Sequence, residues 1–218
     1  MTESTGILAP AMAAARNVDG FSVVVLEELL APPVLDRVRQ VALASPGRFV
    51  PTRVLLLPGG EPGVDVSQRR SLVLHDPDPW VVELFRNELL RVLPDVLARM
   101  GRPSVRPSAI DVQMAVTEDG GHFRGHVDST DSVLSDRRLA FVYFFYREPK
   151  SFSGGRLRIV ERLAGDGRDR TAARVDVVPA QNRMVCFPPR FVHEVHEVSV
   201  PSGRFEDGRF TVNGWVRW

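Results

Sequence analysis

His126-Val127-Asp128 is the first place in the chain where residue types and spacing suggest chemistry. Side chains alternate faces along a strand, so residues i and i+2 point the same way and can converge on one ion. A further imidazole from a neighbouring strand would complete two nitrogens and one carboxylate on one face of an octahedral metal. That set leaves three positions open and is the one associated with non-haem Fe(II) oxygenases. The run HEVHEV supplies two such histidines, His193 and His196. Their offset of three puts them on opposite faces of a strand, so only one can be the ligand. An H-x-D triplet alone is common, and its weight here comes from an arginine that follows. Arg209 opens the alternating run RFTVNGWVRW, where a guanidinium can hold a carboxylate bidentately at the far end of a pocket. Arg204 competes for that role, but SGRFEDG has the composition of a hairpin turn.

The elements that must position these residues lie mainly in the second half. From Val105 onward the chain breaks into short β-rich runs, AIDVQMAV, RRLAFVYFF, GRLRIVER, ARVDVVP, RMVCFP, HEVHEVSV and RFTVNGWVRW, separated by Gly, Pro, Asp and Ser clusters. Before them, FSVVVL over Phe21 to Leu26 reads as a strand. Ala31-Pro32-Pro33 then opens a helix with Val34, Val38, Val41 and Leu43 on its apolar face. Pro79 to Met100 is a second amphipathic helix, carrying Trp80, Leu84, Leu89, Leu90, Leu93 and Leu97 and ending at Gly101, and Pro94 is expected to kink or split it. Residues 1 to about 18 read as a flexible arm or one short helix. Helices first and many strands afterwards predict an α+β, mainly β fold, with helices packed on one side of a largely antiparallel sheet or double-sheet barrel.

Among 218 residues, 44% are hydrophobic and no linker divides the chain, which predicts one domain over 1–218: a supporting part over 1–104 and a β core over 105–218. The 28 basic and 27 acidic residues are scattered, so nothing predicts a nucleic-acid partner. No apolar run approaches the ~20 residues that span a bilayer, and no membrane partner is expected. A single cysteine, Cys186, excludes an internal disulfide framework and multi-cysteine metal sites. With no targeting segment in MTESTGILAPAMAAARN, a cytoplasmic protein is the expectation.

In its later blocks the sequence resembles the Fe(II)/2-oxoglutarate dioxygenases, in their prolyl 4-hydroxylase-like branch with a double-stranded β-helix (jelly-roll) core. DGGHFRGHVDS resembles that family's approach to its H-x-D, RRLAFVYFFYREPKSFSGGRLRIV its strand and Gly-Gly hairpin, MVCFPPRFVHEVHEV its distal-histidine strand, and GRFTVNGWV its arginine strand. Together these cover about residues 110 to 217. The resemblance implies His126, Asp128 and His193 as Fe(II) ligands, with His193 preferred over His196 because the placing of Phe187, Val195 and Val198 around it fits the family pattern. It implies Arg209 as the partner of the distal carboxylate of 2-oxoglutarate, with Thr211 beside it. A tyrosine near that co-substrate is also implied, for which Tyr143 is the candidate and Phe144 the competing occupant.

With O2, such a site hydroxylates an unactivated C–H bond of a small metabolite, an amino acid or a prolyl peptide, releasing succinate and CO2. Asp128, a carboxylate where halogenating relatives have a small residue, favours hydroxylation. The contrasting readings are a metal-binding cupin, whose G-x5-H-x-H pattern is absent, and a non-catalytic binding module. His75 and His196 read as structural residues, His122 as pocket filling, and Glu194 and Glu197 as solvated carboxylates. The segments 59–66, 68–71 and 129–137 are the expected pocket walls, with arginines suited to an anionic substrate.

Overall fold

The computed structural model describes residues 15–18, 22–55, 62–74, 76–129, 134, 136–163 and 170–218. In chain order these form β1 (Ala15–Asn17), β2 (Val24–Leu26), α1 (Pro32–Leu43), β3 (Val50–Pro51), β4 (Val54–Leu55), β5 (Pro62–Gly63), β6 (Arg69–Arg70), β7 (Leu72–Leu74) and α2 (Pro79–Arg99). There follow β8 (Ala109–Thr117), β9 (His122–His126), β10 (Arg137–Phe145), β11 (Ser153–Gly154), β12 (Leu157–Leu163), β13 (Arg170–Val177), β14 (Arg183–Phe187), β15 (Val192–Val195), β16 (Val198–Ser199) and β17 (Arg209–Arg217).

Two antiparallel sheets carry the architecture. The larger runs β1-β2-β14-β10-β17-β8-β7-β3, and the smaller β13-β12-β15-β9-β6. This is the α+β, mainly β double-stranded β-helix expected from the sequence, with the helices on one sheet. The period-two alternation of the larger sheet divides its residues between two cores. Leu139, Phe141, Tyr143 and Phe145 of β10, with Phe210, Val212 and Val216 of β17, join a cluster that includes Phe85, Leu89, Val92 and Val96 of α2. Ala140 and Phe144 point the other way, into a second cluster with Leu157, Ile159, Val175, Phe187 and Phe191 between the sheets.

Both helices match their predicted spans. Asp78 caps α2, its side chain accepting from the Trp80 N–H, and Pro79 occupies the first turn, where its missing N–H costs nothing. Pro94 lies inside α2 without splitting it. In α1 the buried residues are Leu35, Val38 and Ala42, so the deeply buried stripe is turned by one position from the expected Val34/Val38/Val41 face. Residues 15–17, expected in a flexible arm or short helix, instead pair with β2 as an edge strand. HEVHEVSV is two strands rather than one: β15 ends at Val195 and β16 begins at Val198, so His196 lies in the break. Cys186 is buried in β14 as a free thiol, which burial pushes up to about 12, so it is an inert packing residue. Among the described residues no helix is long and apolar enough to cross a membrane. His75, Phe21 and residues 59–61, 130–133 and 135 of the expected pocket walls lie outside the described residues.

Candidate active site

His126, Asp128 and His193 converge between the two sheets, with one donor atom from each within 4.8 Å of the others. The histidines are cross-strand partners on β9 and β15, which places their side chains side by side on one face. Their ring centroids are 4.1 Å apart. Asp128 lies two residues past His126 and beyond the end of β9, and its backbone N–H donates to Pro189 O at 2.9 Å, which keeps it within reach of the rings. The carboxylate oxygens lie 3.5 Å from His126 Nε2 and 3.2 Å from His193 Nε2. Donors about 2.1 Å from a common ion are about 3.0–3.5 Å apart when adjacent, so this set can hold one metal ion with little movement.

The hydrogen bonds behind the ligands favour the same use. His126 Nδ1 lies 2.9 Å from Arg124 O and His193 Nδ1 lies 3.0 Å from Phe191 O. A carbonyl only accepts, so each Nδ1 carries the proton, and in the neutral imidazole Nε2 keeps a free lone pair facing the centre. The Trp215 Nε1–H donates to Asp128 Oδ2 at 2.9 Å, and Arg137 lies over the indole with its guanidinium carbon 3.5 Å from the ring centroid. Burial opposes charge on Asp128, but the charge of His193 and hydrogen bonds from both histidines outweigh it and hold the carboxyl well below the usual range. Burial, then the neighbouring His193, lowers His126. His193 is raised, because Asp128 outweighs its own burial. Trp215→Phe keeps an aromatic ring, though a smaller one, but removes the N–H, and is expected to weaken metal binding about tenfold, read by competition with a chromophoric chelator.

A cavity, partly open to solvent, joins this cluster to Arg209. Arg209 is 3% exposed, and its Nε–H donates to Gly155 O at 2.9 Å. Gly155 has φ +65, and a Cβ there would stand 2.6 Å from Arg209 Cδ, so both the turn and the close approach require glycine. The outer nitrogen Nη2 of Arg209 is buried with no protein partner. Burial and the nearby charge of Arg69 push Arg209 down to about 9, which leaves it protonated near neutrality. A buried cation with an unused donor on a cavity wall is costly unless an anion binds there. Thr211 is 5% exposed and lines the same cavity two residues along β17.

Tyr143 does not reach the cavity, and this corrects its expected contact with a co-substrate. Its parity on β10 turns it toward α2, where its ring centroid lies 4.9 Å from that of Phe85 and its hydroxyl donates to Asn182 Oδ1 at 2.8 Å. Phe144 faces inward instead, and the Arg209 guanidinium carbon lies 4.9 Å from its ring centroid. Tyr143→Phe is therefore expected to leave the cavity unchanged and to cost about 1 kcal/mol in chemical denaturation, since Asn182 Oδ1 still accepts from the Leu30 N–H.

His196 pairs with Glu194 at 3.2 Å, away from the cluster, and Glu194 also pairs with Arg158, so it is an ion-pair partner rather than merely solvated. Arg204 is bound to Asp207 in its turn. His122 lines the cavity, its ring nitrogens each 3.3 Å from a backbone carbonyl, of Gly120 and of Ser67. The hydrogen bond from Trp215 and the supporting role of Gly155 have no local signature in the sequence.

Residues 112–217 match the 2OG-Fe(II) oxygenase superfamily. Over 151 residues, 68% of this chain, the sequence is 34% identical to an uncharacterized PKHD-type hydroxylase of Synechocystis sp.. Residues 112–217 therefore belong to the 2OG-Fe(II) oxygenase superfamily. The chain spans half the length of that curated relative. Among solved structures, the fold is similar to a Pseudomonas putida prolyl-4-hydroxylase, with TM-score 0.60 and 18% identity over 90% of this chain and 92% of that one. It is similar as well to a Trichoplax adhaerens prolyl hydroxylase solved in complex with a peptide fragment of hypoxia inducible factor, with TM-score 0.63 and 16% identity over 90% and 83% of the two chains. The superfamily's cofactors are Fe(II), 2-oxoglutarate and O2, and a two-histidine, one-carboxylate cluster facing a buried arginine suits that combination.

Proposed function

We propose that the chain acts as an Fe(II)- and 2-oxoglutarate-dependent hydroxylase in a single oxygenase domain, with His126, Asp128 and His193 as the metal ligands and Arg209, assisted by Thr211, as the anchor of the 2-oxoglutarate distal carboxylate. The observation that carries this reading is the buried, unused Nη2 of Arg209 on the wall of the cavity that holds the His-Asp-His cluster. A cupin-type metal site has no need of such a cation. Bound Fe(II) and 2-oxoglutarate would supply, with O2, the oxidising power to hydroxylate an unactivated C–H bond, leaving succinate and CO2.

The chain's own residues do the positioning. Arg124 O and Phe191 O accept from the two Nδ1–H groups and fix the ring orientations, so that each Nε2 faces the centre as the metal-binding atom. Trp215 holds the Asp128 carboxylate in one orientation, and its ionised form offsets part of a divalent charge. Arg209 offers its outer guanidinium edge to a carboxylate in two parallel hydrogen bonds. Leu157, Phe187 and Val195 line the cavity between these groups and limit water near the cluster. The substrates that fit are a small metabolite, an amino acid or a prolyl peptide.

The test is Fe(II)- and O2-dependent formation of succinate from 2-oxoglutarate by the purified protein. Slow turnover above a metal-free control is expected even without a second substrate. Succinate no higher than in that control would overturn the reading.

A further inference from the structure

Arg69 is a second cation in the cavity. Its Nε–H donates to Ser71 Oγ at 2.8 Å, and among the described residues no carboxylate forms an ion pair with it. Its guanidinium carbon lies 4.4 Å from the centroid of the Phe123 ring, which itself stacks on His126 at 3.5 Å. The contact with Phe123 holds the guanidinium beside the metal cluster, and the bond to Ser71 leaves its two terminal nitrogens for a ligand. Burial lowers Arg69 to about 10, opposed by Asp128, so it stays charged near neutrality.

The charges of the occupied site decide what those nitrogens would meet. Asp128 is the one acid among the described residues lining the cavity. The two charges of Fe(II) and the one of Arg209 are offset by Asp128 and the two carboxylates of 2-oxoglutarate. The site is then neutral before Arg69 is counted, and a largely buried cation without a counter-charge is unfavourable. One negative charge on a planar, bidentate acceptor matches both the charge and the fork, which describes a carboxylate better than a dianionic phosphate.

We propose that Arg69 anchors a carboxylate of the molecule to be oxidised, so that the site takes a small carboxylate-bearing substrate of the free amino-acid type rather than a residue within a peptide. This rests on the reading of the cavity as an iron and 2-oxoglutarate site. Ser71 positions the fork through its hydroxyl, and Phe123 supports it from the ring face.

The protein loaded with Fe(II) and 2-oxoglutarate without oxygen is titrated with the free L-amino acids and with their carboxamides, binding being read by calorimetry and by perturbation of the visible charge-transfer band. At least one acid is expected to bind roughly tenfold or more tightly than its amide. Arg69→Gln is expected to remove that preference while keeping the band and the affinity for 2-oxoglutarate. Should Arg69→Gln not fold, Arg69→Lys, which keeps the charge but not the fork, is expected to reduce the preference. The proposal is overturned if no acid is preferred in the wild type, if the preference survives in a folded variant, or if a folded Arg69→Gln protein loses 2-oxoglutarate itself. Absence of the band from the wild type is a separate result and counts against the underlying iron and 2-oxoglutarate reading.

Discussion

Arg209→Met is expected to abolish 2-oxoglutarate binding while leaving the ligand-free protein as stable as the wild type, or more so. The two effects have one cause. Without a bound anion the guanidinium is buried, one of its nitrogens has no protein partner, and burial with Arg69 disfavours its charge. Methionine fills similar space without a charge to desolvate, so the ligand-free state sheds a penalty that offsets the lost hydrogen bond to Gly155 O. In the complex the same change removes two charged hydrogen bonds, each worth about 1.5–3 kcal/mol, which corresponds to an affinity loss of roughly 10²- to 10⁴-fold. Chemical denaturation reads the first effect, and titration of the metal-loaded protein with 2-oxoglutarate reads the second. Undiminished binding in the variant would remove Arg209 from the site.

Asp128→Asn is expected to weaken metal binding by more than about 100-fold. An amide oxygen can still accept from the Trp215 indole N–H, so the side chain stays in place and the change isolates the charge. Removing a group that merely supports a ligand costs about 10- to 100-fold in affinity, and removing the anionic ligand itself must cost more. His193→Ala is expected to behave likewise. His196→Ala is expected to bind metal as the wild type does, because His196 pairs with Glu194 outside the cluster. Chelator competition across the three variants reads this directly, and a metal defect in His196→Ala would reverse the choice between the two histidines.

How far the site could be read before the fold was known depended on whether a residue's role is local. His126 and Asp128 were legible because a two-residue spacing has a direct geometric meaning, although Asp128 reaches the centre through its backbone bond to Pro189 rather than by staying in the strand. His193 and His196 were distinguishable as a pair, since an offset of three cannot serve one face, but the choice needed the neighbouring pattern. Tyr143 shows the limit. In a strand apolar on both faces, RRLAFVYFF, nothing marks which parity faces the cavity, and a shift of one residue exchanges Tyr143 for Phe144. Arg69 sits in a two-residue strand with no periodicity to read, and its standing as an unpaired cation depends on β9 and Phe123 beside it. Trp215 is 87 positions from the carboxylate it holds, so only the folded chain reveals that contact. The helices, most of the longer strands and the helix-on-sheet layering were legible because hydrophobic period and turn residues encode them locally.

The most direct measurement of the central claim is a titration of the oxygen-free, Fe(II)-loaded protein with 2-oxoglutarate, followed by visible absorption. A metal-to-ligand charge-transfer band that saturates at one equivalent in the wild type, and is missing from Arg209→Met at the same concentrations, is the predicted result. A wild-type protein that binds iron but develops no band would contradict the account.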